Sequence, residues 1–227
     1  RSLEHVRLSY DTVDRKVVDV NVLTDYPRGS QEEFPEPLRR DLREARALAS
    51  QVVGRLEAPL PFHMQNPRCP MRSARLRAAR SATGAEMALL ADPNRRGLDR
   101  AGEVTWKDLW SVAPWEDRLV LLHLTRDEIR DVLTEAAAYW GRGGFLFAHG
   151  LEYRLVPGRD EAPHRVEELT LPGGEPMHAR KRWTVVVDGY SAASAGGRLP
   201  ALRALWLKPE VRAKQTLFEI LKVQVDT

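Results

Sequence analysis

Cysteine is almost absent from this chain of 227 residues, which contains only Cys69. A single thiol permits neither an internal disulfide nor a zinc site built from cysteines. Long apolar runs are also missing, because no stretch reaches the ~18 residues that a membrane-spanning helix needs. Residues 1–30 lack the regions of a secretory signal. The sequence therefore predicts no membrane partner, and any signal of the parent protein is expected outside these residues.

Signatures of a reaction centre are missing too. The six histidines stand far apart and form no HExxH, Asp-x-His or Asn-His-Glu motif, so no metal site is predicted. There is no G-x-S-x-G around a serine, and the glycine pairs follow no phosphate-loop spacing. We therefore predict no catalytic group and no cofactor in this chain. His123 lies in an apolar run and is expected to be a core histidine with satisfied polar atoms.

Lysine is scarce, with 6 residues against 29 arginines, and the net charge is only +3. The 43% apolar and 30% charged content is typical of a globular protein. Residues 71–82 place alanines on one helical stripe and spread four arginines over the other side, namely Arg72, Arg75, Arg77 and Arg80. This pattern predicts a solvated basic face, with contact to an anion or a partner as the alternative. The modest net charge argues against nucleic acid as that partner.

Regular patterns begin at the first residues. Residues 5–10 and 16–23 alternate between apolar and polar side chains and predict two strands joined by a short polar turn. A two-stranded hairpin is only marginally stable in isolation, so these strands are expected to belong to, or pack against, a larger structure. Residues 37–56 show apolar spacings of four and three after Pro37, which predicts a long helix with a narrow seam.

The second half predicts further strands and a capped helix. Residues 119–124 form an apolar strand, and Thr125 with Glu128 forms a capping box for a helix that extends through Trp140 to a stop at Gly141. Three more strands are predicted, around residues 150–156, 165–171 and 182–190. Helices in blocks and strands in mostly hairpin order favour an α+β fold with a mixed, largely antiparallel sheet.

Two aromatic residues follow turn signals, Trp115 after Pro114 and Tyr190 after a strand end. Aromatic pairs can sandwich a base at roughly 1–3 kcal/mol per stacked base. Core packing is the simpler interpretation of both residues from these patterns alone. A binding surface is the alternative interpretation, and it is supported only by the resemblance of this chain to a known protein family.

The order of segments resembles the C-terminal domain of the 5'-nucleotidase and cyclic-nucleotide phosphodiesterase family. Residues 84–133 follow that family's strand, loop ending in Arg, G-x-I-T-x-x-D-L-Y segment, L-P-F turn and L-T-G-x-x-L helix, in order and without insertion. Residues 147–158 resemble its S-G-L-x-Y strand, residues 165–177 its Arg-Val strand and Gly turn, and residues 183–197 its last strand, aromatic residue and Gly-Gly loop. The resemblance covers residues 84–198, about half of the chain.

The resemblance implies a division into three parts. Residues 1–35 would be the last strands of a metallophosphoesterase domain, residues 36–60 a linker helix, and residues 61–227 the C-terminal domain. In such proteins the N-terminal domain holds two divalent metal ions and the C-terminal domain holds the nucleoside. This chain alone is therefore expected to be inactive, and the family implies a periplasmic or secreted parent that degrades nucleotides.

Carried over by position, Trp115 and Tyr190 match the stacking aromatics and Arg96 the arginine that contacts the ligand, with Arg198 as a further substrate-binding residue. Several positions depart from the family. Asn and glycines are replaced by Ala91, Asp92, Pro93 and Asn94, Arg198 stands where the family has Asp for the ribose, and Arg77 stands where an Asp is frequent. A stiffer loop is expected, because it has lost flexible glycines.

Two functions follow from this pattern. The first is the substrate-recognition domain of a two-domain metallophosphatase acting on nucleotides or related phosphoesters. The second is a degenerate binding or structural module that keeps the fold. Because a cation at position 198 cannot accept bonds from hydroxyl groups, the departures argue against ordinary nucleoside 5'-monophosphate specificity and leave open a more anionic or quite different ligand.

Overall fold

A computed structural model describes residues 3–11, 16–25, 35–63, 68–92, 95–115, 117–141, 144–158, 164–206 and 212–216. The chain divides into two compact units, Arg1–Leu48 and Ala49–Thr227. The first unit contains β1 (Leu3–Asp11) and β2 (Lys16–Asp25), which pair antiparallel with Val6 opposite Val22. The predicted hairpin is thereby confirmed. It is followed by helix α1 (Glu36–Ala49).

The prediction of one helix over residues 37–56 is wrong beyond Ala49. Strand β3 (Val52–Leu56) follows instead and pairs antiparallel with β5 (Gly102–Thr105). Two β-branched valines and Gly54 weaken a helix in this segment and favour a strand. The pairing also buries Val53 to 7% exposure, so tertiary contacts override the helical spacing. The segment predicted as a linker therefore contains both a helix and a strand.

The second unit is built on a five-stranded sheet. After β3, its remaining elements are, in chain order, α2 (Pro70–Thr83), β4 (Met87–Ala91), β5, α3 (Trp106–Val112), β6 (Arg118–Leu124), α4 (Arg126–Ala137), β7 (Leu146–His149), β8 (Glu152–Val156), β9 (Arg165–Thr170), β10 (Trp183–Asp188), α5 (Gly189–Ala192), α6 (Pro200–Trp206) and β11 (Arg212–Thr216). The strand order is β11-β6-β10-β4-β7. Strands β10 and β4 are parallel and the other pairs are antiparallel.

The α+β class with a mixed, largely antiparallel sheet is thus confirmed. Hairpin order holds for β1 with β2 and for β8 with β9, but not for the central sheet, in which neighbours are distant in sequence. Local turn signals cannot predict these long-range pairings, because each pairing depends on both strands and on the layers that cover them.

Both faces of the central sheet are covered. In β4, Met87 and Leu89 enter a core with α4, α6 and the β8–β9 pair, while Ala88 and Leu90 enter a second core with α2 and α3. A strand buried on both faces reads as a continuous apolar run. All five residues of β4 are accordingly apolar and buried.

The predicted basic face on α2 is wrong for two of its arginines. Arg72 and Arg75 are only 3% and 4% exposed, whereas Ala82 on the predicted packing stripe is exposed. The helix turns its Met71, Leu76, Ala78 and Ala79 face into the second core, and the two arginines accompany it. Buried charges require partners, so counter-charges near the end of β4 decide this orientation.

Two expectations in the region of β6 and α4 also need correction. The capping box is confirmed, since Glu128 N donates to Thr125 Oγ1 at 3.2 Å and Thr125 N donates to Glu128 Oε2 at 2.8 Å. However, α4 ends at Ala137, and Trp140 lies in the following turn with 44% exposure. His123 is half-buried rather than a core residue, because β6 directs its neighbours Leu122 and Leu124 into the first core.

Candidate functional site

The parallel strands β4 and β10 define the carboxyl edge of the sheet, which is the side at which both strands end. Strands β4 and β10 run side by side, with Val187 next to Leu89, and both end at this edge with Ala91 and Asp188. Strand β6 is antiparallel to β10, so its first residue, Arg118, lies at the same edge. Crevices beyond the carboxyl ends of parallel strands are common ligand sites. The segments that carry Arg96, Trp115 and Tyr190 all adjoin this edge.

Tyr190 is positioned by a capped turn after β10. Asp188 accepts hydrogen bonds from Ser191 N at 2.7 Å and from Ser191 Oγ at 2.8 Å, which starts α5. A Cβ at Gly189 would lie 3.0 Å from the Arg118 carbonyl oxygen, so glycine allows this turn to approach β6 closely. The Tyr190 side chain remains 44% exposed.

Arg198 reaches back to Tyr190. Its Nη1 donates to the Tyr190 hydroxyl oxygen at 3.3 Å and to the Ala195 carbonyl oxygen at 3.2 Å. Its Cδ lies so close to Gly144 that a Cβ there would be 2.9 Å away. The structure therefore brings two of the predicted site residues into direct contact.

The loop between these two residues is strained. Ser194 and Ala195 adopt φ values of 89° and 47°, in the left-handed region that residues other than glycine rarely occupy. Hydrogen bonds hold them there, including Gly197 N to Ser194 Oγ at 3.0 Å and Ala195 N to the Tyr190 carbonyl oxygen at 2.9 Å. Such strain persists only where surrounding contacts enforce it and is common at binding sites.

Trp115 supplies a second exposed aromatic surface at this edge. It follows Pro114 in the segment between α3 and β6 and is 47% exposed. Two residues later, burial raises the pKa of Asp117, and the nearby negative charge of Asp188 raises it further. Trp115 thus stands close in sequence to a carboxyl group that accepts a proton more readily than an isolated one.

Arg96 is exposed, and the backbone of the next residue, Gly97, passes very close to the backbone of residues 60–62. A Cβ at the neighbouring Gly97 would lie 2.5 Å from Phe62 N, so only glycine fits there. Leu60 and Leu98 exchange backbone hydrogen bonds of 2.7 and 2.9 Å on the other side of this glycine. Arg95 donates to the Gly141 carbonyl oxygen at 3.5 Å, and Gly144 lies close to the Arg198 side chain.

A buried ion-pair cluster lies at the end of β4. Arg72 Nε contacts Asp92 Oδ2, and Arg75 Nη1 lies 3.4 Å from Asp92 Oδ1, with Asp92 itself 9% exposed. The Arg72 guanidinium also lies 3.5 Å from the ring centroid of Phe147. Burial lowers the pKa of Arg75, and the charges of Asp92 and Asp188 oppose this effect.

Sequence reasoning missed this cluster. The only available signal was a carboxylate directly after an apolar strand, together with arginines three residues apart on a neighbouring helix. Of the positions that depart from the family pattern, Ala91 ends β4 and Asp92 is paired, whereas Pro93 and Asn94 lie outside the described residues. The expected stiffness of the loop stays a prediction.

The described residues provide neither a metal-ligand cluster nor a membrane-spanning helix. Among them, no three His, Cys, Asp or Glu side chains lie closely enough together to hold a metal ion. In the same parts of the chain, no helix has the length and apolar content to cross a membrane. The side chains in these parts of the chain therefore do not fit a pair of divalent ions.

Solved structures with the same fold include enzymes of different named activities. A 5'-nucleotidase precursor from Thermus thermophilus is 17% identical with a TM-score of 0.67, over 100% of this chain and 48% of that one. The NAD nucleotidase of Haemophilus influenzae is 14% identical with a TM-score of 0.63, over 98% and 50%. A sulfate thiohydrolase from Thermus thermophilus is 17% identical with a TM-score of 0.57, over 99% and 41%.

The chain therefore spans about half the length of these proteins or less. No curated protein sequence matches it significantly. The sequence model of the 5'-nucleotidase C-terminal domain matches residues 52–204. This range contains all four candidate site residues and every strand of the central sheet apart from β11. The chain therefore belongs to the 5'-nucleotidase family and carries the C-terminal domain of that family.

Proposed function

We propose that this chain is the substrate-recognition part of a two-domain metallophosphatase that hydrolyses nucleotides or related phosphoesters. The observations that support this most directly are the exposure of Trp115 and Tyr190 and the hydrogen bond from Arg198 to the Tyr190 hydroxyl, with Arg96 exposed in the segment after β4. Exposed aromatic faces favour a flat base, and arginines favour a phosphate group. One edge thus offers the two kinds of contact that a nucleotide needs.

Catalysis would come from a partner domain. We propose that an N-terminal metallophosphoesterase domain would hold two divalent ions, which would supply the activation of water. In this arrangement Trp115, Tyr190, Arg96 and Arg198 bind and orient the substrate. A periplasmic or secreted location and a role in nucleotide catabolism are further parts of this proposal.

A second function is a binding or structural module that keeps the fold without nucleotide recognition. The feature that favours it is the engagement of Arg198, which donates to Tyr190 and Ala195 and cannot accept hydrogen bonds from ribose hydroxyls. Asp92 is likewise occupied by two buried arginines. The same fold also occurs in a protein named as a sulfate thiohydrolase.

Fluorescence titration separates the two functions. AMP, adenosine and cyclic nucleotides are added to the purified chain while tryptophan emission is recorded. Quenching by a nucleotide that disappears in Trp115→Ala supports base stacking. Trp110→Phe is the matched control, since Trp110 is also exposed, at 53%, but lies in α3. No response to any nucleoside at millimolar concentration, with Trp115→Ala and wild type equally folded, contradicts nucleotide recognition by this chain.

A further inference from the structure

A basic pocket lies at the other end of β4. It has a volume of about 500 Å³ and is lined by Arg77, Arg80, Ser81, Gly84, Ala85 and His149. His149 pairs with Ala88 near the start of β4, whereas the candidate nucleotide site lies beyond Ala91 at its end. The two sites are therefore separate along the strand.

Three nitrogen-bearing side chains converge in this pocket from two elements. Arg77 and Arg80 are three residues apart in α2 and therefore share a helix face. His149 lines the pocket from the end of β7, and its Nδ1 lies 3.4 Å from Arg80 Nη1. Arg80 Nε also donates to the Ala85 carbonyl oxygen at 3.3 Å, which fixes the guanidinium from a second side.

The pocket has positive charge without a carboxylate among its lining residues. Glu86 is adjacent in sequence, but its carboxylate accepts from Lys181 Nζ at 2.6 Å and from Thr184 N at 2.9 Å. Among the described residues, none forms an ion pair with Arg77, whose side chain is exposed. Burial lowers the pKa of His149, and the charges of Arg80 and Arg77 lower it further. The imidazole of His149 therefore lies in a positively charged environment.

Helix capping explains only part of this arrangement. A cation in the last turn of a helix is favoured by the carbonyl dipoles, and Arg80 has that role. This effect does not require an imidazole from β7 beside the guanidinium, nor a second arginine on the same face. It also leaves a volume of about 500 Å³ that is larger than one oxyanion fills.

We infer that the pocket formed by Arg77, Arg80 and His149 binds the phosphate group of a small organic phosphate. The two guanidinium groups supply charge-assisted donors, and the Nε2–H of His149 supplies a further donor while its Nδ1 faces Arg80. The remaining volume receives the organic part of the ligand. This inference is independent of nucleotide binding at the carboxyl edge of the sheet.

The test follows the imidazole of His149 by NMR in the full chain. Its signal is assigned among the six histidines by its loss in His149→Gln. The pH titration is recorded in sodium phosphate and in sodium chloride of equal ionic strength. We expect phosphate to raise the pKa of His149 by about one unit, since a bound anion favours the charged imidazole. The same pKa of His149 in both salts, or a lower pKa in phosphate, overturns the inference.

Variants locate the effect. Arg77→Gln is expected to weaken phosphate binding by roughly tenfold, since it removes a charged donor. Arg130→Gln, an exposed arginine of α4 paired with Asp127, is the matched control and should leave the binding constant unchanged. Arg198→Gln should also leave the response of His149 unchanged, because it affects only the other end of the sheet. Unchanged phosphate affinity in Arg77→Gln, or loss of the response in Arg198→Gln, contradicts the inference.

Discussion

The guanidinium of Arg198 donates to the hydroxyl of Tyr190 across 3.3 Å and so fixes the orientation of an exposed aromatic ring. The ring and the cation flank a loop whose Ser194 and Ala195 adopt positive φ values. If a nucleotide binds at this edge, the aromatic ring and the charge should make separable contributions.

We therefore predict that Arg198→Ala weakens AMP binding by about 1 kcal/mol, or roughly fivefold, and weakens adenosine binding less. The charge contributes through the phosphate, which adenosine lacks. Titrations of both ligands at low and high salt measure this difference, which should shrink as salt screens it. Equal losses for AMP and adenosine would show that Arg198 does not contact the phosphate.

Tyr190→Phe is the matched variant for the ring. It removes the hydroxyl that accepts from Arg198 but keeps the stacking surface, so AMP affinity should fall by less than about 1 kcal/mol. Tyr190→Ala should cost roughly 1–3 kcal/mol, because the whole face is lost. Equal affinities for the Phe and Ala variants would exclude stacking at this position.

Asp92 is predicted to be essential for stability. Asp92→Asn removes the carboxylate that pairs with Arg72 and Arg75 while both guanidinium groups stay buried. Removing one partner of a buried ion pair costs roughly 3–5 kcal/mol. Urea denaturation measures the loss. Asp127→Asn, in an exposed pair with Arg130, is the control and should cost below about 1 kcal/mol. Similar losses for both variants would contradict the role of Asp92.

Glu86 should make stability depend on acid pH. Burial raises the pKa of its carboxyl, but hydrogen bonds from Lys181 and Thr184 outweigh this effect and lower the pKa below its ordinary value of 4.5. A lowered pKa in the folded state stabilises the protein above about pH 4.5 and loses this effect as the pH falls through the lowered value.

Glu86→Gln tests this dependence. The variant should be less stable than wild type at about pH 7, and the difference should shrink as the pH falls below 4.5. Urea denaturation across this pH range measures it. Thr184→Val removes the hydroxyl that bonds Glu86 but keeps the carboxylate, so it should retain most of the pH dependence. A constant difference between Glu86→Gln and wild type at every pH would contradict the prediction.

The purified chain should not hydrolyse AMP or other phosphoesters, with or without Mn²⁺ or Zn²⁺. The described residues form no cluster that could hold these ions, and water activation by metal requires such a cluster. Release of inorganic phosphate measures turnover. Metal-dependent release that persists through purification, and that is lost in a Trp115→Ala variant of the same preparation, would overturn this prediction.

Much of the local structure is predictable from local patterns. The alternation in residues 5–10 and 16–23 predicts the first two strands, and the box of Thr125 and Glu128 marks the start of α4. These features depend on neighbours within a few residues. The end of α1 is different. Two valines and Gly54 weaken a helix in residues 52–56, but the strand forms by pairing with β5, which is distant in sequence. Local patterns do not predict that partner.

The candidate site shows the same division. The order of motifs in residues 84–198 was enough to place Trp115, Tyr190, Arg96 and Arg198 as binding candidates. The contact between Tyr190 and Arg198, and the engagement of Asp92, depend on how loops meet at the sheet edge. No periodic pattern of residues in the sequence predicts either contact.

Residue order and local patterns are enough to identify the family of this chain, most of its strands and the residues that could bind a ligand. The burial of Arg72 and Arg75, and the pocket that Arg77 and Arg80 line with His149, depend instead on tertiary contacts. All four arginines occupy one helix and look equivalent in sequence. The physical difference is their surroundings: Asp92 offers a buried counter-charge to the first pair, and β7 brings an imidazole to the second.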